Sequence, residues 1–438
     1  MRYNGLSVVL TLLLSVIKGG EGRVVEPQSP DRTGFQVLRL QASDSDLVDT
    51  ALRLADEYEL NEWAELNRPD GYVDVMVNLE KKERFTRAIE DAGIVSSVMI
   101  EDVEERIKRH VTMKKRSAND NYDYDSFNVF EDIEKELKKI NNTYSDIARL
   151  DIIGETFEKR NMYVLRVSKD IGPAPTKPII LIDAGIHARE WVSISTIMYI
   201  INQVVRNPSD DLYIKAFLDS YEFVFMPVLN PDGYAYTQVD RLWRKNRVYN
   251  DKSSCRGVDL NRNWDYKWGG LGTSGRPCQI DYRGPAAFSE LETKAVQKWV
   301  EAYKSKILLY INFHAYGQLW MTPYGYSTDT PSNEVEMLKY SKIAVKAIKK
   351  SRGTEYRYGP VYTTIYPASS ISVDWVRGAE DVPLAYTVEL PDKGDHGFLT
   401  PPSEIPLIGK ETWEGIRALL ITLADDKGLL KTAEIIIV

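Results

Sequence analysis

The sequence predicts a mixed, largely parallel α/β sheet with helices on both faces, preceded by a small α+β domain. Three observations carry that expectation. Beyond residue 116 the chain holds short apolar runs of the kind buried on both faces of a sheet: Tyr163 to Val167, Ile179 to Ile182, Phe223 to Leu229, Ile307 to Phe313 and Ala385 to Val388. Stripes at helical spacing lie between them, such as Met337, Tyr340, Ala344, Ala347 and Ile348. Before residue 100 the period switches instead between two and about 3.6, the pattern of helices laid on one face of a mainly antiparallel sheet.

Taken in order, Arg2, the apolar run Leu6 to Ile17 and the small residues Gly19, Gly20 and Gly22 read as a secretory signal peptide over residues 1–22. The run falls short of the ~20 residues needed to span a bilayer. Phe35 to Leu40 reads as a strand, and Leu47, Ala51 and Leu54 as a helix. Val73, Val75, Val77 and Leu79 alternate with Tyr72, Asp74, Met76 and Asn78 as a half-buried strand. Phe85 and Ile89 before Gly93 give a second helix, and Val95 to Ile100 a third strand. Glu101 to Arg109 reads as a solvated helix face, with His110 a solvent-exposed linker residue. Lys114-Lys115-Arg116, followed by polar residues, is the kind of junction that proteases cut. Residues 23–116 are therefore expected to form the small domain and its linker, and 117–438 the large one.

The formal net charge of −8 is spread rather than blocked, which argues against nucleic acid as a partner. No membrane partner is expected either, since the tail Ile435 to Val438 is too short to span one. The two cysteines, Cys255 and Cys278, read as one disulfide in an exported chain, with two free thiols as the alternative. Asn141-Asn142-Thr143 is a glycosylation sequon in polar surroundings, which predicts a surface position.

One histidine opens the run His187-Ala188-Arg189-Glu190 directly after the apolar stretch Pro178 to Ile186, and His314 ends another such run. Two imidazoles and a carboxylate suit one zinc ion, and three protein ligands leave a position for water, the catalytic arrangement. A single histidine at a strand end is more often a hydrogen-bonded core residue; three candidates in matching contexts reverse that. Glu389, ending the run Tyr386 to Val388, is the candidate general base, the bland alternative being an edge carboxylate paired with Lys393. Ligands in such sheets bind beyond the carboxyl ends of strands, where His187, His314 and Glu389 all fall.

Five motifs occur in one order: His187-Ala188-Arg189-Glu190-Trp191, Asn230-Pro231-Asp232-Gly233-Tyr234, Arg241-Leu242-Trp243-Arg244-Lys245, Val258 to Trp264, and Ile365-Tyr366. In these the chain resembles the secreted zinc carboxypeptidases of the A/B family, the pancreatic-type procarboxypeptidases, over nearly its whole exported length. The resemblance implies a carboxypeptidase-like catalytic domain behind a ferredoxin-like pro-domain, made as an inactive, secreted and monomeric precursor. A trypsin-like protease would activate it by cutting after Arg116, or after Arg109. The activity implied is hydrolysis of the C-terminal bond of peptides and proteins by a zinc-water/glutamate mechanism with one Zn2+ per chain.

Site residues follow from the same resemblance. Arg262, with Asn261 and the mobile Tyr366, looks like the clamp for the free carboxylate, a task suited to the two parallel donors of a guanidinium. Arg244 is similar to the family's oxyanion-stabilising arginine. Arg189 and Tyr316 resemble outer subsite residues, Glu389 the base, and Cys255 and Cys278 the loop disulfide. The pocket-floor position that is acidic in basic-specific members is Val373, where a buried cation would lack a partner. Hydrophobic C-terminal residues are the expected leaving groups, with Met321 and Gly325 shaping the same pocket.

The chain also departs from the pattern. Ser370-Ile371 stands where Gly-Gly is common, so Ile371 is expected to make the pocket shallower and favour aliphatic residues. Pro367 fixes φ just after the clamp tyrosine. Pro391 and His396 replace the usual Arg and Tyr, His396 reading as a rim residue rather than a fourth ligand. Two other classes remain: a catalytically inactive secreted binder of peptide C-termini on the same fold, and a zinc deacylase or amidase for small non-peptide substrates. The intact ligands, base and Arg244 weigh against the first, and Arg262 with Tyr366 and Val373 against the second.

Overall fold

A computed structural model of the protein describes residues 30–42, 44–66, 71–110, 121–206, 211–251 and 253–429. The expected signal segment, the junction at 114–116 and the isoleucine-rich tail lie outside these residues.

The N-terminal unit contains strands β1 (Phe35–Ala42), β2 (Asn61–Leu66), β3 (Gly71–Asn78) and β4 (Val95–Ile100), paired antiparallel in the order β2-β3-β1-β4. Helices Ser45–Glu57 and Leu79–Asp91 begin where the side chains of Asp44 and Asn78 accept from the backbone N–H of Leu47 and Lys81, satisfying donors that the first helical turn leaves free. Their apolar stripes, including Val48, Ala51, Phe85 and Ile89, pack on Leu38, Leu40, Val73, Val75 and Val77. Strand β2 has no counterpart in the predicted order. It lies at the sheet edge and its sequence, Asn-Glu-Trp-Ala-Glu-Leu, is too acidic to read as a strand.

Strand β3 corrects a second expectation. It is buried on both faces, with Asp74 at 0% and Met76 at 4% exposure beside fully buried Val73 and Val75. Only one face meets the unit's own helices; from the other, Asp74 reaches the large domain.

The large domain is built on β5 (Ala148–Glu155), β6 (Asn161–Val167), β7 (Ile179–Ala184), β8 (Glu222–Met226), β9 (Ile307–Ala315), β10 (Leu319–Thr322), β11 (Arg357–Pro360) and β12 (Leu384–Leu390). Their order is β11-β10-β12-β9-β7-β8-β6-β5. The run β12-β9-β7-β8 is parallel, while β6, β5 and β10 add antiparallel pairs. Alternate residues of β7 serve opposite layers, as the strand's period of two requires. Ile180 and Ile182 join a core with helices Trp191–Arg206 and Ile405–Asp426, and Ile179 and Leu181 a core with helices Leu291–Tyr303 and Ser372–Gly378.

Two local expectations change. His110 is not an exposed linker residue: it is 7% exposed, its Nε2–H donates to the Thr400 carbonyl at 2.7 Å, and its ring lies 5.3 Å from Phe127 and 5.4 Å from Trp191. All three partners are remote in sequence, so local polarity gave no sign of the pocket. Asn141 sits near the end of helix Phe130–Thr143, half-buried, with its side-chain carbonyl accepting from Leu150 N–H at 2.8 Å.

Candidate metal centre

The ends of three adjacent parallel strands bring the predicted ligands together. The chain leaves β7 through Gly185, whose φ of +68° suits a residue without a side chain and whose added Cβ would lie 2.8 Å from Ile194. His187 and Glu190 follow at the turn into helix Trp191–Arg206. His314 closes β9, and the register pairs it directly with Glu389 on β12.

Among the described residues, His187, Glu190 and His314 are the one group of three whose donor atoms lie within 4.8 Å of one another, and all three are buried. His187 Nδ1 is 2.8 Å from Glu190 Oε1, His314 Nδ1 is 3.1 Å from Glu190 Oε2, and the two Nδ1 atoms are 3.2 Å apart. Such a set fits zinc in number, type and convergence. Burial, then the neighbouring Arg244, lowers the affinity of His187 for a proton, which favours the neutral imidazole a metal requires. Its other nitrogen, Nε2, faces Asp259 Oδ1 at 3.2 Å, the carboxylate contact that orients a ligating histidine.

Asp259 went unassigned in the sequence, although it sits within one of the motifs. It accepts from Arg244 Nε and Nη2 at 3.0 and 2.9 Å, so one carboxylate holds both His187 and Arg244. Burial opposes its ionisation, but Arg244 and His187 hold it well below the usual carboxylate range. Asn230, fully buried, donates from Nδ2 to the carbonyls of Ile186 and Lys245 at 3.2 and 3.1 Å, which ties the His187 turn to the Arg244 segment.

Glu389 is not paired with a lysine. Its Oε2 is buried and has no hydrogen-bond partner among the described residues. Burial pushes this carboxyl up to about 8; Glu190 adds to the effect while His314, Arg244 and Arg189 oppose it. An orphaned buried oxygen costs about 1–3 kcal/mol, so its presence beside three convergent donors points to a ligand or substrate proton there.

Arg262 and Asn261 flank the same space. Arg262 is anchored through Nε to the Gly272 carbonyl at 2.6 Å and Nη1 to the Asn261 carbonyl at 2.9 Å, and it lies 5.9 Å from the Tyr366 ring. Asn261 Oδ1 accepts from Ser372 N–H at 2.9 Å, and its Nδ2 is 3.4 Å from His314 Nε2. These residues open onto a cavity of about 30 Å³, also lined by Met321, Ile371, Val373 and Glu389. Ile371 narrows it; a Cβ on Gly325 would come within 2.8 Å of the Ile371 side chain. Asp374, next in sequence to Val373, is not among the residues that line it; both its oxygens accept from the Gly325 and Tyr326 backbone.

The N-terminal unit covers this region. Asp74 accepts from Arg39 Nε and Nη2 at 2.7 and 2.6 Å and from the Tyr316 hydroxyl at 2.9 Å. Arg189 lies over the Phe398 ring at 4.0 Å and donates to the Trp63 carbonyl at 3.4 Å. His396 is not near the metal ligands but against Arg106, whose Nη2 donates to its Nδ1 at 2.7 Å. Cys255 and Cys278 are bonded to each other.

Comparison with known proteins places the chain in one family. The zinc carboxypeptidase family model matches residues 133–415 and the carboxypeptidase activation peptide model residues 38–110. The chain is 36% identical to zinc carboxypeptidase A 1 of Anopheles gambiae over 402 residues, covering 90% of this chain and 88% of that one. It is 40% identical to carboxypeptidase B of Astacus astacus over 301 residues, covering 68% of this chain and 97% of that one. Among solved structures, carboxypeptidase A from Helicoverpa armigera superposes with a TM-score of 0.83 at 26% identity, covering 90% of this chain and 98% of that one. Thrombin activatable fibrinolysis inhibitor gives 0.80 at 29%, with 89% and 98% covered.

Proposed function

The chain belongs to the zinc carboxypeptidase family and carries its activation peptide, and we propose from that premise that it is a secreted precursor releasing hydrophobic C-terminal residues from peptides. Residues 1–22 act as the signal peptide, 23–116 as the activation segment, and 117–438 as the catalytic domain. The observation that carries the reading is the unpartnered Oε2 of Glu389 beside His187, Glu190 and His314.

His187, Glu190 and His314 hold the zinc, which when bound supplies Lewis acidity to water and to a carbonyl oxygen. Glu389 takes a proton from the attacking water at its free oxygen and returns it to the departing amine. Arg244, oriented by Asp259, faces the charge that develops on the scissile carbonyl, a contribution of about 3 kcal/mol. Arg262, Asn261 and Tyr366 grip the substrate's terminal carboxylate, while Arg189 and Tyr316 contact the preceding residues. Specificity rests on Val373: the cavity it lines offers no carboxylate except Glu389, so a lysine or arginine side chain would be desolvated without a partner there. Until proteolysis after Arg116 or Arg109, Arg39, Trp63 and Asp74 occupy the approach to the cleft.

The test is hydrolysis by trypsin-treated, zinc-loaded protein. Blocked dipeptides ending in Leu or Phe should be cut, the same dipeptides as C-terminal amides should not, and chelator should abolish the reaction. Preferential release of Lys or Arg would overturn the specificity; inactivity after verified processing would overturn the whole reading.

A further inference from the structure

A cavity of about 1000 Å³ lies between the N-terminal unit and the large domain, lined among others by Arg189, Arg244, Arg276 and Gln279. Its large-domain wall also carries Lys245, Arg247 and Arg256, with the carboxylates of Asp240 and Asp281 in the lining and those of Asp259 and Glu158 behind it, paired with Arg244 at 2.9 Å and Arg247 at 3.5 Å. Two of these cations, Lys245 and Arg256, have no carboxylate partner among the described residues. Lys245 Nζ donates to the Pro277 and Gln279 carbonyls at 2.7 and 3.1 Å, and Arg256 lies 3.9 Å over the Tyr249 ring. Asp240 is meanwhile taken by Arg32 at 2.6 Å.

The N-terminal unit places a carboxylate on this wall. Asp56, from helix Ser45–Glu57, accepts from Arg276 Nη2 with both oxygens at 2.9 and 3.0 Å, and from Gln279 Nε2 at 2.8 Å. Removing the activation segment takes away Asp56 and Arg32 together. Asp240 is then released, but Arg276 and Gln279 lose their anion and the wall keeps an excess of positive charge.

We infer that this wall is a recognition surface for acidic side chains upstream of the scissile bond, and that Asp56 occupies in the precursor the place such a carboxylate takes in a substrate. The inference rests on the carboxypeptidase reading. With the terminal residue at the cavity lined by Val373, the preceding residues leave past Arg244 and Arg189, which also line this larger cavity. At roughly 3.3–3.6 Å per extended residue, a few residues carry the chain along the basic wall.

The experiment compares processed enzyme on N-blocked peptides with a common C-terminal Leu and either Glu or Lys at the preceding three positions, each kcat/KM divided by that enzyme's value on a blocked dipeptide. Exposed charge pairs of this kind are modest, so the Glu peptide should exceed the Lys peptide by about fivefold at low salt, and the ratio should collapse toward one in high salt. Arg256→Glu combined with Arg276→Glu should invert the order. Equal cleavage of the two peptides, or a preference that survives the double variant, overturns the acidic-recognition surface while leaving the carboxypeptidase reading intact. A processed chain that cuts neither peptide nor dipeptide removes both.

Discussion

Mild acid should loosen the N-terminal unit through His110. Its imidazole is pushed down to about 3, first by burial, then by the Arg241 guanidinium, with Arg106 and His396 adding to the effect and the Thr400 carbonyl opposing it. Exposed by undocking, it returns to about 6.5. Because the folded value is the lower one, the open state binds more protons between those limits, and the docked arrangement loses stability as pH falls from 6.5 toward 3. At about 1.4 kcal/mol per unit, pH 5 costs about 2 kcal/mol, or roughly 30-fold in the closed-to-open ratio. Hydrogen exchange of the backbone amides of helix Val103–Arg109, corrected for intrinsic rates, reads that ratio directly. Protection should fall about 30-fold between pH 8 and 5 in the natural protein, and far less in His110→Gln, whose amide can still donate to Thr400. Equal loss in both proteins, or none in either, would refute the argument.

Other perturbations follow from the same geometry. Asp74→Ala leaves Arg39 without its buried partner and frees Tyr316, so the uncut precursor should lose about 3 kcal/mol of docking energy and hydrolyse a blocked dipeptide faster than the natural chain. Glu389→Gln should keep zinc, measured by metal analysis, but lower kcat by about 10²–10⁴. Val373→Asp should shift the released residue from Leu or Phe to Lys or Arg, read as the ratio of kcat/KM for matched dipeptides.

Much of the site was legible because its residues sit where apolar strands end. His187, His314 and Glu389 each follow a short apolar run of the kind buried on both faces of a sheet, and the parallel register then sets His314 beside Glu389. The assignments of Arg262, Asn261, Tyr366 and Arg244 came only through resemblance to a family, since an arginine in a polar loop has no periodic signature. Asp259 shows the limit of local reading: its function lies in contacts to His187 and Arg244 that chain folding creates. The same limit explains β2, an acidic edge strand, and His110, whose pocket is assembled from residues 127, 191 and 400. Tertiary docking also overrode pattern in β3, where Asp74 and Met76 occupy positions that alternate as a solvent face yet are buried.

Zinc content together with zinc-edge X-ray absorption on the full chain tests the centre most directly. One zinc per chain is expected, bound by nitrogen and oxygen at about 2.0–2.2 Å without sulfur, and lost in both His187→Ala and His314→Ala. Stoichiometric zinc surviving in those variants, or none in the intact protein, would contradict the account.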